Sequence, residues 1–292
     1  MSLSQSQWWP APAKLNLFLH VTGRRADGYH TLQTVFQFLD LTDRLRFDIT
    51  QDGCVTRATP LAGVPEDADL SVRAARLLQQ ASGCPLGARI FLDKRLPMGG
   101  GLGGGSSDAA TTLLALNHLW GTQRTLAELA VLGLTLGADV PVFVQGHAAW
   151  GEGVGERLTP VDLPEPWYVV LVPPVNISTA AVFQSPELTG STAAITIRDF
   201  HAGRGRNDLE PVVCGMAPEV SNTLTWLGNF GRARMTGSGA CVFLAVESAD
   251  RGREILALCP ETLASGFVAQ GLNTHPIHQQ YGDVMNWGVA KR

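Results

Sequence analysis

Alternating apolar and polar residues mark the first strand of the chain. Every second residue from Leu15 to Val21 is aliphatic, within the segment 13–22. Residues two positions apart in a strand lie on the same face, so this pattern predicts a strand with one buried face. Lys14 and Asn16 are expected to point together to the opposite face.

The rest of the hydrophobic pattern predicts a mixture of helices and strands. Helical spacing of apolar residues predicts helices over 69–80, 107–120, 126–136, 179–184, 208–214, 219–227 and 250–258. Short apolar or alternating runs predict strands over 35–41, 43–49, 89–93, 140–146, 167–172, 241–246 and 266–271. Because these elements do not alternate regularly as strand, helix, strand, the pattern favours an α+β fold.

Two regions interrupt this pattern. Residues 159–166 are rich in proline and acidic residues, which indicates a boundary between an N-terminal lobe, 1–158, and a C-terminal lobe, 159–292. Residues 190–205 show no sustained period and are predicted to form a long loop.

Composition excludes several classes of function. The 292 residues carry a net charge of −4, whereas a general nucleic-acid binder needs an excess of lysine and arginine. No apolar run approaches the roughly 18 residues that span a bilayer, and the first nine residues lack the apolar core of a signal peptide. Five widely spaced cysteines without a C-x-x-C pair indicate reduced thiols. We therefore expect a cytoplasmic protein.

The main chemical signal is a glycine-rich loop at residues 97–107, which reads PMGGGLGGGSS. Successive glycine amides can converge on an anion, and the helix predicted to follow adds its unpaired N–H groups and the positive end of its dipole. The loop therefore predicts a phosphate site. The hydroxyl groups of Ser106 and Ser107 could contact the phosphate or its Mg²⁺.

Three other interpretations of the loop are weaker. A flexible linker rarely lies between a strand and an amphipathic helix of one domain. Gly99, Gly101 and Gly104 satisfy the dinucleotide pattern G-x-G-x-x-G, but a run so rich in glycine matches it almost automatically, and Arg124 falls where that fold needs an acidic residue. No lysine follows the glycines, as a Walker A loop requires.

Lys14 and Asp139 are the candidates for charge stabilisation and proton transfer. Asp139 precedes Pro141, which is expected to stop a helix and to fix the carboxylate where a helix gives way to a strand. From local sequence alone, a turn or capping role is the favoured interpretation of Asp139, and Lys14 is ambiguous because solvent-facing lysines are common on strands. Together with the glycine loop, however, they form the set that phosphoryl transfer requires.

Two glycine motifs resemble those of the GHMP kinases, a superfamily of small-molecule kinases. Residues 97–107 resemble the phosphate loop of that family, and residues 235–241, MTGSGAC, resemble its C-terminal glycine motif. The resemblance implies an N-terminal ATP-binding lobe, a ferredoxin-like C-terminal lobe, a site between them, and the use of ATP and Mg²⁺. The implied ATP-binding residues are Pro97, Met98, Gly99, Gly100, Gly101, Leu102, Gly103, Gly104, Gly105, Ser106 and Ser107.

Two further segments narrow the resemblance. Residues 9–16, WPAPAKLN, and residues 25–30, RADGYH, resemble the branch of the superfamily that phosphorylates a hydroxyl group of a substrate linked to cytidine diphosphate. By this resemblance Lys14 and Asp139 are catalytic. The implied substrate-binding residues are Asn16, Tyr29, His30, Thr179 and Phe183, with the Tyr29 and Phe183 rings on opposite faces of the cytosine and His30 at its edge.

Two other functions remain open from the residues. A superfamily kinase acting on another alcohol, such as homoserine or mevalonate, would not need the Asp-Gly-Tyr-His segment. A non-catalytic nucleotide-binding module would need neither Lys14 nor Asp139. The sequence also leaves open a homodimer and the Mg²⁺ ligands.

Overall fold

The computed structural model describes residues 7–26, 28–188 and 190–282. Within them the strands are β1 Trp9–Arg24, β2 His30–Thr50, β3 Val55–Arg57, β4 Gly87–Asp93, β5 Ala149–Gly153, β6 Arg157–Pro160, β7 Trp167–Val172, β8 Arg234–Met235, β9 Val242–Val246 and β10 Ser265–Leu272. The helices are α1 Leu70–Ser82, α2 Gly104–Leu119, α3 Leu126–Leu134, α4 Val140–Gln145, α5 Thr179–Phe183, α6 Ile197–His201, α7 Glu210–Met216, α8 Pro218–Gly228, α9 Ala249–Ala257 and α10 Pro276–Tyr281. Asp27 of the segment 25–30 lies outside the described residues.

The long strand β2 organises the sheet. It replaces the two strands predicted over 35–41 and 43–49, and it pairs with β1 along most of its length. Its other pairings are with β5 near its start, with β10 at Phe38 and Leu39, and with β4 from Arg44 onward. The sheet continues from β10 through β7 and β9 to β8, and so joins the two halves of the chain.

Strand β1 is buried on both faces, so the expectation of one buried face was wrong. The polar residues Lys14, Asn16 and His20 are as inaccessible as the leucines between them. The physical reason is that helices α2 and α10 pack on β1 and residues 206–208 hydrogen-bond to Leu19, so little of its centre meets water.

The segment 140–146 forms helix α4, not the predicted strand. Pro141 lies in the first turn of α4, where its missing N–H costs no hydrogen bond, and Gly146 ends the helix in the left-handed conformation with φ +76°. The apolar run at 140–144 is buried throughout, so its sequence carries no period that separates a helix from a strand. Pro141 therefore starts a helix instead of stopping one.

The predicted loop 190–205 contains the short helix α6. Thr196 and Asp199 form a reciprocal capping box at its start. This capping signal is present in the sequence, but the segment has no helical hydrophobic period that would have predicted the helix. Strands β3, β5, β6 and β8 and helix α10 were not predicted either. The other predicted helices and strands are present with shifts of a few residues at their ends, and α2 begins earlier, at Gly104.

Helices and a largely antiparallel sheet confirm the α+β class. One buried cluster lies among β1, β2, β4 and helices α1 to α4, and a second lies among β7, β9 and helices α7 to α9. The division at 158/159 stays a prediction: it falls inside β6, and the chain returns across it, because Ile277 of α10 belongs to the first cluster.

Helix α10 docks through a group of buried histidines. His275 caps the helix, since its Nδ1 accepts a hydrogen bond of 3.1 Å from the Ile277 amide, and His278 Nε2 lies 3.0 Å from the Val144 carbonyl oxygen. Burial lowers the pKa of His278 to about 4 and that of His275 well below its ordinary value, and neighbouring His147 also lowers the His278 value. Both rings are therefore neutral in the folded protein at neutral pH.

We predict that this docking makes stability fall in acid. Between pH 6.5 and about 4 the unfolded chain binds protons at His278 that the folded chain excludes, so the free energy of unfolding decreases as pH falls through this window. His278→Gln keeps an N–H donor for Val144 but does not titrate. Urea denaturation should show a shallower pH dependence for this variant, while exposed His201→Gln should match the wild type. An unchanged slope in His278→Gln would contradict the assignment.

Candidate active site

A cleft of about 940 Å³ opens where β1 and β2 meet the glycine loop. The predicted site residues that line it are Lys14, Asn16, Tyr29, His30, residues 97–106, Asp139, Thr179 and Phe183. Ser107 is different: it is buried within α2, does not line the cleft, and its hydroxyl has no hydrogen-bond partner among the described residues.

Lys14 and Asp139 form an ion pair inside this cleft. Lys14 Nζ lies 3.2 Å from Asp139 Oδ2, and it donates hydrogen bonds of 2.6 Å to Asn16 Oδ1 and 2.9 Å to the Gly101 carbonyl. Two of the three donors of the ammonium group are thus in hydrogen bonds, and the Asp139 carboxylate balances its charge. The lysine side chain is only 3% exposed, whereas the aspartate is 33% exposed and can meet a ligand.

The turn between α3 and α4 presents Asp139 to the cleft. Asp139 is the N-cap residue of α4, but its side chain makes no capping hydrogen bond. The carboxylate therefore faces Lys14 instead of serving the local capping role that its sequence context favoured. The expected junction of a helix with a strand was wrong, because α4 follows Asp139.

The glycine loop adopts conformations that residues with a Cβ atom rarely adopt. Gly99, Gly101 and Gly103 have φ values of +72°, +77° and +72°, and Gly103 is the N-cap of α2. A Cβ atom on Gly101 would lie 2.4 Å from the Thr236 carbonyl oxygen. The loop therefore turns sharply and leads into a helix N-terminus at the cleft, as a phosphate site requires.

The second glycine motif packs directly against this loop. The Cys241 amide donates a hydrogen bond of 3.1 Å to the Gly100 carbonyl, and the Asn16 amide donates one of 2.9 Å to Thr236 Oγ1. Asn207, which sequence reasoning missed, holds the same turn through hydrogen bonds of 3.0 and 2.8 Å to the carbonyls of Met235 and Gly237. The two motifs thus form one packed unit at the cleft.

Asn16 is fixed in place by residues that no motif indicated. Its Nδ2 donates a hydrogen bond of 3.0 Å to Thr34 Oγ1, and the Thr34 hydroxyl in turn donates to the Phe18 carbonyl. All of these groups are buried. The alternation of β1 placed Asn16 beside Lys14, but its partner on β2 depends on strand register, which local sequence does not reveal.

The aromatic residues lie at another end of the cleft. The rings of His30 and Phe183 are stacked, with centroids 5.6 Å apart and an angle of 29° between planes, whereas the Tyr29 side chain is 68% exposed. Burial, together with the charge of Arg24, lowers the pKa of His30. The predicted placement of Tyr29 and Phe183 on opposite faces of a base stays a prediction.

Small polar groups lie between the aromatic residues and the glycine motifs. Thr179 Oγ1 is 2.7 Å from Ser238 Oγ, which joins α5 to the second glycine turn. Lys94, just before the glycine loop, also lines the cleft and was not predicted. Its position immediately upstream of a phosphate loop is the signal that could have identified it.

Comparison with known proteins agrees with the sequence motifs. Residues 69–147 match the model of the GHMP kinases N terminal domain, and residues 192–263 match that of the GHMP kinases C terminal. The chain is 59% identical over 273 residues to 4-diphosphocytidyl-2-C-methyl-D-erythritol kinase of Thiobacillus denitrificans, covering 94% of this chain and 98% of the relative. The enzyme of the same name from Dechloromonas aromatica is 58% identical over 270 residues, covering 92% and 98%.

Solved structures give the same result. A crystal structure of 4-(cytidine 5'-diphospho)-2C-methyl-D-erythritol kinase superposes with a TM-score of 0.79 at 35% identity, covering 91% of this chain and 99% of that one. Mevalonate kinase of Methanococcus jannaschii superposes with a TM-score of 0.67 at 16% identity, covering 92% and 99%. The second likeness shows a shared fold alone. None of the helices within 7–26, 28–188 and 190–282 is long and apolar enough to cross a membrane.

The contact between the glycine motifs can be tested by adding a single methyl group. Gly121→Ala introduces the strain of a positive φ, +66°, in open space, so it should cost about 1–2 kcal/mol. Gly101→Ala adds a clash with Thr236 and should cost a further 1–3 kcal/mol or so. Urea denaturation measures both. Equal losses would show that the two motifs are not in close contact.

Proposed function

Because the chain belongs to the family of 4-diphosphocytidyl-2-C-methyl-D-erythritol kinases within the GHMP kinases, it is a small-molecule kinase, and we propose that it transfers the γ-phosphoryl group of ATP to the 2-hydroxyl group of 4-diphosphocytidyl-2-C-methyl-D-erythritol. This step belongs to the non-mevalonate route to isoprenoid precursors. The observation that carries the proposal is the 3.2 Å ion pair of Lys14 and Asp139 in the cleft that the glycine loop lines.

The glycine loop would hold the phosphates of ATP. Its left-handed glycines turn the backbone toward the cleft, and the first turn of α2 adds unpaired amides and the positive end of the helix dipole. Nothing larger than a hydrogen atom fits at Gly101 without a clash. The loop therefore offers backbone donors in place of the lysine of a Walker A motif.

Asp139 would act as the general base. The substrate hydroxyl group gives its proton to the Asp139 carboxylate, while its oxygen forms a bond to the γ-phosphorus and the bond from that phosphorus to the β–γ bridging oxygen breaks. The products are the phosphorylated alcohol and ADP. Asp139 suits this role because it is partly exposed and is not used for capping.

Lys14 would stabilise the charge that develops between the hydroxyl oxygen and the phosphoryl group. Its ammonium group is nearly excluded from water. In such a buried site a charge acts more strongly than it does in solvent. Asn16 and the Gly101 carbonyl fix its position, so little reorganisation is needed during the reaction. Asn16 would also contact the substrate, since it lines the cleft beside Lys14.

Mg²⁺ fits the donors at the head of α2. Ser106 lines the cleft, and its Oγ lies near the turn at Gly137 that leads to Asp139. Hydroxyl and phosphate oxygens are ligands that Mg²⁺ prefers, and in kinase sites it takes most of its ligands from phosphate and water. Ser106 would hold the ion, which would neutralise phosphate charge. Buried Ser107, expected to share this role, does not line the cleft.

The cytidine group would bind at Tyr29, His30 and Phe183. Rings on both sides of the base would supply stacking, and the His30 ring would supply hydrogen bonds at its edge. In the structure the His30 ring stacks on Phe183, with centroids 5.6 Å apart, and so covers one face of the Phe183 ring. Stacking of the base on that face would require one of these rings to rotate.

We predict that Asp139→Asn lowers kcat by about 10² to 10⁴-fold, the usual contribution of a general base, because the amide cannot accept the proton. Affinity for the cytidine substrate should change little, since the shape is retained. A coupled assay of ADP release measures the rate, with the exposed Asp250→Asn as control. A kcat within about threefold of wild type would refute the assignment.

We predict that Tyr29→Ala weakens binding of the cytidine substrate about tenfold or more and leaves ATP affinity unchanged. The scale is borrowed from base stacking in nucleic-acid complexes, about 1–3 kcal/mol per base. Tyr29→Phe, which keeps the ring, should bind nearly as wild type. Isothermal titration with each ligand separately tests this. Loss of ATP affinity with the cytidine ligand unaffected would mean that the two ends of the cleft are assigned the wrong way round.

A further inference from the structure

Three ionisable side chains, two of them buried and one half-buried, lie next to the phosphate loop. Lys94 Nζ donates hydrogen bonds of 2.5 Å to Asp43 Oδ2 and 2.7 Å to Asp108 Oδ2. The exposed fraction of the side chain is 15% for Lys94, 0% for Asp43 and 5% for Asp108. The other oxygen of Asp108 is buried without a hydrogen-bond partner among the described residues, so Lys94 is the contact that satisfies this carboxylate. We call these three residues the lysine clamp.

The lysine clamp joins the two ends of the loop. Asp43 Oδ1 accepts hydrogen bonds of 2.6 and 2.7 Å from the amides of Arg95 and Leu96, the residues that lead into the loop. Asp108 lies in the first turns of α2, just after the loop. A single ammonium group therefore holds the entry of the loop, through Asp43, at a fixed distance from its exit, through Asp108.

The clamp also borders the amides that would face phosphate. A Cβ atom on Gly104, the first residue of α2, would lie 3.1 Å from Lys94 Nζ and 3.6 Å from Asp43 Oδ2. Burial would lower the pKa of Lys94, but the charges of Asp108 and Asp43 outweigh it and raise the pKa, so the ammonium stays charged. Its Nζ is engaged by both acidic side chains, although Lys94 lines the cleft. Burial raises the pKa of Asp108 to about 8 despite the charge of Lys94.

We propose that Asp43, Lys94 and Asp108 position the phosphate loop for ATP, with Lys94 acting through the two carboxylates and not as a direct phosphate ligand. This proposal rests on the proposed function only for the identity of the nucleotide. Lys94 is accordingly a positioning residue. If the two ends of the phosphate loop were released, the loop could no longer present its amides at the spacing that a polyphosphate needs. The part of the cleft that would bind cytidine would be unaffected.

Asp43→Asn distinguishes the clamp from direct binding. If Lys94 binds phosphate itself, removal of one carboxylate frees its charge, so ATP affinity should stay the same or increase. If the clamp positions the loop, Asp43→Asn and Lys94→Met should each weaken ATP binding at least tenfold. The double variant should then be no weaker than the worse single variant, because both break one unit.

The measurement is isothermal titration of the full chain with ATP and, separately, with the cytidine substrate, at a temperature where thermal melting shows every variant folded. Asp208→Asn is the control: its buried carboxylate accepts a hydrogen bond from the Val21 amide and does not line the cleft. It should lower the melting temperature without changing ATP affinity. Lys94→Arg keeps the charge and should recover part of the ATP affinity lost in Lys94→Met. If Lys94→Met does not fold, Lys94→Arg is measured in its place.

Reduced ATP affinity with unchanged cytidine-substrate affinity in Asp43→Asn and Lys94→Met supports the clamp. Unchanged or tighter ATP binding in Asp43→Asn, additive effects in the double variant, or equal loss of both ligands would overturn it. The proposed function fails separately, if the wild type binds ATP but releases no ADP when the cytidine substrate is added.

Discussion

The site depends on the burial of one ammonium group. Lys14 is almost without contact to water, and a buried charge is tolerated only when its hydrogen bonds are satisfied. Its partners come from three separate segments: Asn16 on β1, Gly101 in the glycine loop, and Asp139 before α4. The charge therefore fixes the relative positions of a strand, a loop and a helix, and it places the Asp139 carboxylate beside the glycine loop.

The second constraint is the close approach of the two glycine motifs. Only a residue without a side chain fits at Gly101, and the contact with residues 235–241 brings the C-terminal part of the chain against the loop. The lysine clamp contacts the segments at the two ends of the same loop. Packing contacts thus hold the centre of the loop, and side-chain hydrogen bonds hold the segments at its ends.

Local sequence predicted those features that depend on neighbours along the chain. Helix α1 has an Asp69 cap and a terminal glycine, and β7 is a short apolar run, so both were placed within a few residues. The glycine loop is predictable from sequence because its backbone has positive φ angles, which residues with a Cβ atom rarely adopt. Periodicity fails where elements are buried on all sides: it predicts a solvent face for β1 and a strand where α4 lies.

The candidate site was predicted from the motif resemblance more than from local pattern. Taken alone, Lys14 and Asp139 each had an ordinary explanation, and only the fold shows that they meet. The contributions of Thr34, Asn207 and the lysine clamp were missed for a related reason. Each is a common polar residue in its local sequence, and its role arises from strand register or from contacts between segments that are far apart in the chain.

The position of β10 has a consequence for how the protein is made. This strand follows the other nine in the described chain, yet it lies inside the sheet, between β2 and β7. During synthesis at roughly 5–20 residues per second, the earlier strands leave the ribosome first and cannot complete their hydrogen bonding until residues 265–272 emerge. Until then, the facing edges of β2 and β7 are open to other partners. The nascent enzyme thus has an unpaired β2 edge from early in translation and an unpaired β7 edge once residues 167–172 are made, and both stay open until β10 emerges. A chaperone that binds extended segments would protect the chain in that interval.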